Sequence, residues 1–329
     1  MGNGFQSLPR LPLVEQTGHP PVKRRRFSFR AFFWRVLGSL PVCILLFLLT
    51  ILTTLIVGVH LEQNYAARLP IFDLDISWSF FAQLLSYPSR LWAGAPYAFT
   101  TVGILLAHEM GHYLTCRHYR IDATYPFFIP APTVVGTWGA FIQIRSPLVT
   151  RQELFDVGIS GPIAGFVVAI PMLVISAWNA GSRGTAFPAD SLIPGHPLAL
   201  TLLVKWFHPG IQLHRLALTP MGCGVWVGLF VTALNLIPIG QLDGGHIFYA
   251  VFGRMHRYVS IGFFIALIPL GYFFWPGWWV WAVLMIVIGL RHPPPLMDSE
   301  PLDHRRKLIA LSGIAMFVLC FMLQPMRVT

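Results

Sequence analysis

From residue 38 onward the chain alternates long apolar runs with short connectors rich in proline, arginine and other polar residues. A bilayer crossing needs roughly 20 apolar residues. On that basis spans fall at about 38–59, 95–116, 156–178, 220–238, 259–274, 277–290 and 308–324. The fifth and sixth are short, and Pro276 and Gly277 between them have the composition of a tight hairpin turn. Residues 60–94 and 179–219 mix aromatic, proline and polar residues, which predicts interfacial or re-entrant pieces. The stretch "TVVGTWGAFIQIRS" at 133–146 is different: β-branched and aromatic residues punctuated by Gly136 and Gly139 predict a short strand or hairpin. The predicted fold class is all-α, a polytopic membrane protein with about six to eight transmembrane helices and one short β element.

Composition agrees. Of 329 residues, 55% are hydrophobic and only 11% charged, against roughly a quarter charged in a soluble domain. The net charge of +10 raises a nucleic-acid partner as a possibility, and the placement of the basic residues excludes it. They sit at the edges of apolar runs: "VKRRRFSFR" at 22–30, Arg254 and Arg257, and "HRRK" at 304–307. That is how topology signals are distributed. With a cytoplasmic N-terminus, cytoplasmic segments carry 17 Lys or Arg and the opposite side 6. Cys43, Cys116, Cys223 and Cys320 lie in or beside apolar runs without CxxC spacing, and read as buried small hydrophobes.

The basic segment 1–37 lacks a small-residue cleavage site and the serine-rich character of a transit peptide. It predicts a retained anchor in a bacterial inner membrane, with a plastid membrane as the second choice. The expected organisation is a cytoplasmic segment at 1–37, a first span and loop at 38–94, a central membrane core at 95–255 and C-terminal spans at 256–329.

One run breaks the apolar pattern with chemistry. After "FTTVGILL" comes "AHEMGHYLTC" at 107–116. His108 and His112 are four apart and share one helix face, with Cβ atoms about 5–6 Å apart. Two imidazoles so placed can converge on one zinc ion. Glu109, rotated off that direction, can meet a water as general base. With five glutamates and twelve histidines in the chain, chance gives about 0.007 HExxH matches, so the motif is specific. An uncompensated ionised glutamate at mid-bilayer also costs roughly 2.5–3.5 kcal/mol, a cost that a bound cation offsets.

Catalytic zinc takes three protein ligands, and Asp243 in "LNLIPIGQLDGGH" at 234–246 is the best third. Pro238 and Gly240 interrupt the helix there, and Gly244 and Gly245 permit an unusual backbone. Counting 1.5 Å per residue inward from the same face brings both motifs to similar depth. Asn235 offers an amide to substrate, to a developing oxyanion or to a freed backbone carbonyl. His246 is either a fourth ligand or a local hydrogen-bonding residue, and it stays outside the metal set.

Together these residues resemble the site-2 protease family of intramembrane zinc metalloproteases. "HEMGH" matches its HExxH, "NLIPIGQLDGG" matches its N-x-x-P-x-x-x-L-D-G motif, and "GISGPIAG" at 158–165 is similar to its Gly-Pro segment on the intervening helix. The resemblance covers about residues 95–255. It implies one Zn2+ held by His108, His112 and Asp243, with Glu109 as general base and a membrane-spanning protein as substrate. It also implies that "GTWGAFIQIRSP" at 136–147 is a strand near the active site that holds unwound substrate by edge pairing. No length of soluble sequence is available for a PDZ or CBS domain, so the compact branch is the nearer match. Lipid and a transmembrane substrate are the expected partners. The rival function is a transporter or channel, which favours repeated halves with paired broken helices, or an inactive membrane scaffold. Only one clearly broken helix is present.

Overall fold

The computed structural model describes residues 38–72, 77–182, 191–298 and 300–328. The basic segment 1–37 lies outside them. Helix α1 (Leu40–Ala66) precedes a short helix α2 (Trp78–Ser86) and α3 (Ala95–His118), which carries the HEMGH run. Strands β1 (Phe127–Pro130) and β2 (Thr137–Phe141) follow, then α4 (Arg151–Trp178) and the short α5 (Leu198–Phe207). The chain continues through α6 (Pro220–Asn235), α7 (Asp243–Phe252), α8 (His256–Phe273), α9 (Gly277–Ile288) and α10 (His304–Cys320). The all-α expectation holds, with a few two- to five-residue strands beside the helices.

Among the described residues three segments are long and apolar enough to cross a membrane on their own: Leu40–Ala66, Arg151–Trp178 and Asp243–Phe273. Helix α3 is long enough, but its histidines and glutamate dilute its apolar character. Helices α6 and α9, at 16 and 12 residues, rise only about 24 and 18 Å against a core of about 30 Å. The predicted re-entrant pieces at 60–94 and 179–219 contain α2 and α5, both too short to cross. The outer faces of α1, α8, α9 and α10 expose leucine, isoleucine, valine and aromatic side chains, as lipid-facing surfaces do. All four cysteines are buried and none forms a disulfide.

At the centre, α3 packs against α4 and α6, and α4 against α7. Helix α4 begins at a capping box, in which Thr150 accepts the Glu153 amide while the Glu153 carboxylate reaches back to the Thr150 amide. The β element is a hairpin, with Phe127 opposite Phe141, Phe128 opposite Ala140, and a bulge before the Pro130–Thr137 pair. Its first strand, "FFIP", lies upstream of the predicted stretch, because proline at its end masks strand character.

The interrupted helix forms as the glycine and proline pattern predicts. Helix α6 ends at Asn235, residues 236–242 turn, and α7 starts at Asp243. Gly240 sits at φ +54°, a left-handed conformation that suits glycine, and its amide donates to the Ser260 hydroxyl at 3.1 Å. Gly244 packs so tightly beneath the turn that a Cβ there would lie 2.0 Å from the Leu236 carbonyl oxygen.

The C-terminal helix is pinned to the core by charge. Arg306 of α10 donates to both oxygens of Asp156 on α4, at 2.7 and 2.6 Å, and also pairs with Asp303. Tyr119 adds a hydroxyl donor to Asp156. Arg306→Ala is expected to leave that partly buried carboxylate without its main donor, at a cost of about 1–3 kcal/mol. Thermal unfolding in detergent checks this, and a variant that also carries Asp156→Asn should recover part of the loss.

Candidate metal centre

The spacing in the sequence becomes geometry on α3. His108 and His112 lie one turn apart with ring centroids 4.8 Å apart. The turn after α6 brings Asp243, the first residue of α7, against both rings. His108 Nε2 is 3.1 Å from Asp243 Oδ2, His112 Nε2 is 3.3 Å from Oδ1, and the two Nε2 atoms are 3.1 Å apart. All three residues are shielded, the histidines almost completely. His112 Nδ1 is 2.7 Å from the Val157 carbonyl oxygen on α4. That oxygen can only accept, so Nδ1 carries the proton and Nε2 turns a lone pair inward.

Does this donor set fit a metal ion? Ligand atoms about 2.0–2.1 Å from a tetrahedral ion stand about 3.3–3.4 Å from one another. The two imidazole nitrogens stand 3.1 Å apart and meet different oxygens of Asp243 at 3.1 and 3.3 Å, and one ligand atom from each of the three residues lies within 4.8 Å of the others, close enough to converge on one ion. Donor lone pairs facing one another this closely in a shielded place repel unless something positive lies between them. Two imidazoles and one carboxylate are also a donor set that zinc accepts, with room left for a fourth ligand.

Helix α4 can come this near only because of its small residues. A Cβ at Gly161 would fall 2.1 Å from His112 Nε2, and one at Gly165 would fall 3.1 Å from His108 Cβ. The "GPIAG" stripe is thus the surface on which the two imidazoles rest.

Glu109 is buried beside the histidines, and its carboxylate accepts a hydrogen bond from the Ile142 amide just past β2. Asn235 closes the other side, with Nδ2 3.3 Å from His108 Nε2. His108, Glu109, His112, Asn235 and Asp243 all line one cavity of about 180 Å3. A second cavity of about 690 Å3 adjoins it, walled by Phe141, Ile144, Gln241 and residues 293–295, and the two share His246. Among the described residues β2 pairs only with β1, which leaves its other edge unpaired, and Ala140 and Phe141 of β2 line the cavity of the centre.

Sequence reasoning missed Gln241, His292 and the Ile142 amide. A polar "RHPPP" directly after an apolar helix is the signal that points to His292. His246 is not among the converging ligand atoms. Its Nδ1 lies 2.6 Å from His292 Nε2.

Fold and centre together define a bundle of apolar helices built around a buried metal-type donor cluster, with a carboxylate beside it. Comparison with known proteins narrows the class. Residues 96–275, more than half of the chain, match the model of peptidase family M50. The chain belongs to that family, the site-2 proteases. It is 30% identical over 247 residues to the probable zinc metalloprotease EGY1, chloroplastic, of Arabidopsis thaliana, covering 71% of this chain and 43% of that one. The probable zinc metalloprotease EGY2, chloroplastic, of the same plant is 29% identical over 231 residues, covering 68% and 40%. The chain thus spans less than half the length of these relatives. Their chloroplastic names lend no support to the bacterial inner membrane expected from the N-terminal segment, nor to its cytoplasmic N-terminus.

Proposed function

We propose that this chain is an intramembrane zinc metallopeptidase that hydrolyses peptide bonds in membrane-spanning proteins. The observation that carries the reading is the convergence of ligand atoms of His108, His112 and Asp243, all within 4.8 Å of one another, with Glu109 lining the same cavity. His108, His112 and Asp243 would hold the zinc. The ion supplies Lewis acidity, which makes a water more acidic and a peptide carbonyl more electrophilic.

The chain's own residues do the rest. Glu109 takes a proton from water as general base and later hands it to the leaving amine. The Ile142 amide holds the Glu109 carboxylate in place between these transfers. His112 keeps one tautomer through Val157, and Asn235 offers an amide donor at the edge where negative charge develops. A helical substrate hides its carbonyls in its own hydrogen bonds, so it must unwind before attack. The open edge of β2 and the apolar walls at Phe141 and Ile144 suit an extended apolar segment.

Metal removal tests the reading. Chelation in detergent is expected to strip about one zinc per chain and to stop cleavage of a single-span peptide. Stoichiometric zinc should restore both. Cleavage that survives complete zinc removal, or zinc-loaded protein that cuts no span at all, would sink the proposal.

A further inference from the structure

Outside the donor cluster, a second pair of histidines meets at the boundary of the two cavities. His246 lies three residues past Asp243 on α7, within one turn of it and on a neighbouring face. His292 comes from the connector after α9, more than forty residues away. His292 Nδ1 is 2.6 Å from the Pro293 carbonyl oxygen. That oxygen can only accept, so Nδ1 of His292 is the protonated nitrogen. Burial lowers the pKa of His292 from its ordinary value, which keeps the ring neutral and leaves Nε2 as an acceptor. His246 Nδ1, 2.6 Å away, must then donate to it. The tautomer of His246 follows: its other nitrogen, Nε2, is a bare acceptor.

No described residue bonds to that acceptor. Among the described residues His246 makes its hydrogen bond through Nδ1 alone. Its side chain lines both the small cavity of the donor cluster and the larger cavity beside it. The His292 ring is meanwhile clamped on Tyr249, with centroids 4.7 Å apart and planes 25° apart, and the Tyr249 hydroxyl donates to Asp298 at 3.2 Å. Asp298 is held in turn by Arg151 at 2.7 Å. A relay of side chains from α4 through the C-terminal connector therefore fixes one lone pair at the junction where a peptide would pass from the wide cavity to the centre.

We propose that His246 is a substrate-contacting residue, accepting a backbone N–H of the bound peptide at Nε2 beside the scissile bond, and that His292 is the positioning residue that sets its tautomer. A peptide in extended form carries unpaired N–H groups that its own helix no longer satisfies. The strand edge can take those on one side only, and the Pro293–Pro295 wall offers no side-chain acceptor. His246 supplies the acceptor on the connector side. This inference rests on the peptidase reading.

The experiment uses full-length protein in detergent and a synthetic single-span peptide whose cleavage position under the wild-type enzyme is fixed by mass spectrometry. His292→Phe keeps the ring on Tyr249 but removes the acceptor. It should raise KM about tenfold, the weight of one hydrogen bond, with kcat within about threefold and zinc content unchanged. His292→Gln, which restores an acceptor near the same point, should recover most of the loss. A second arm replaces single amides near the scissile bond by esters, which lack the N–H. At one position the ester should weaken wild type about tenfold and leave His246→Phe no worse than it already is with the amide. Unchanged KM in His292→Phe with zinc intact, or ester effects that are equal in wild type and His246→Phe at every position, would overturn the assignment while the peptidase reading stands. Loss of zinc in His292→Phe would also overturn it, making the pair a support of the metal centre. Failure of wild type to cut any span removes both.

Discussion

Glu109→Gln is expected to lose cleavage by about a hundredfold to ten-thousandfold, the range that a positioned general base contributes, while still holding zinc. The amide matches the carboxylate in size and can still accept the Ile142 N–H through its oxygen, so the local fold has no reason to change. What is lost is the basic oxygen that removes the proton from water. Zinc content measured by atomic absorption and cleavage rate on the single-span peptide separate the two. A variant that cuts at the wild-type rate would show that another group takes the proton, and the role given to Glu109 would fail. A variant that also lost its zinc would make Glu109 part of the ligand set.

Much of this was legible in the sequence, for a physical reason. Charged and imidazole side chains inside apolar runs are costly, so those present are there for chemistry. His108, Glu109 and His112 stand out on that ground alone. Asp243 stands out because Pro238 and Gly240 must break a helix and depth counting brings the break level with the histidines. Helix positions followed from run length to within several residues, as with α4, which begins at Arg151 where the apolar run predicts residue 156. Capping explains that difference, since the polar first turn after Thr150 is helical but not apolar.

The rest was hidden because it depends on which elements meet. Strand β1 contains a proline, and the number of true crossings depends on how short helices such as α6 and α9 sit in the bilayer. His292 is distant in sequence from every catalytic motif, and only the return of the C-terminal connector across α7 brings it to His246. Backbone groups carry no sequence signature at all, so neither the Val157 carbonyl that orients His112 nor the Ile142 amide that holds Glu109 could be read in advance.

Gly161→Ala is expected to cost the centre most of its metal. In isolation Gly161 reads as a packing residue. Its Cβ, if present, would lie 2.1 Å from His112 Nε2, far inside the contact distance of about 3.5–4.0 Å. Two adjustments are open, and each one damages the centre. If the imidazole swings away, Nε2 leaves the position from which it meets Asp243 at 3.3 Å. If α4 moves outward instead, the 2.7 Å bond from His112 to the Val157 carbonyl stretches, and the tautomer that presents the lone pair is no longer enforced. Loss of such orienting contacts typically weakens metal binding 10- to 100-fold, roughly, and overpacking adds about 1–3 kcal/mol of strain. The variant should therefore lose most of its zinc at micromolar supply and lose cleavage with it, with partial recovery at high zinc. Gly103→Ala on α3 is the control: a Cβ there meets only the Met172 terminal carbon at 3.9 Å, so it should leave zinc and cleavage unchanged and gain up to about 1 kcal/mol of helix stability. Equal zinc content in the two alanine variants would mean that α4 yields to the methyl group without disturbing His112, and that the glycine stripe serves packing alone.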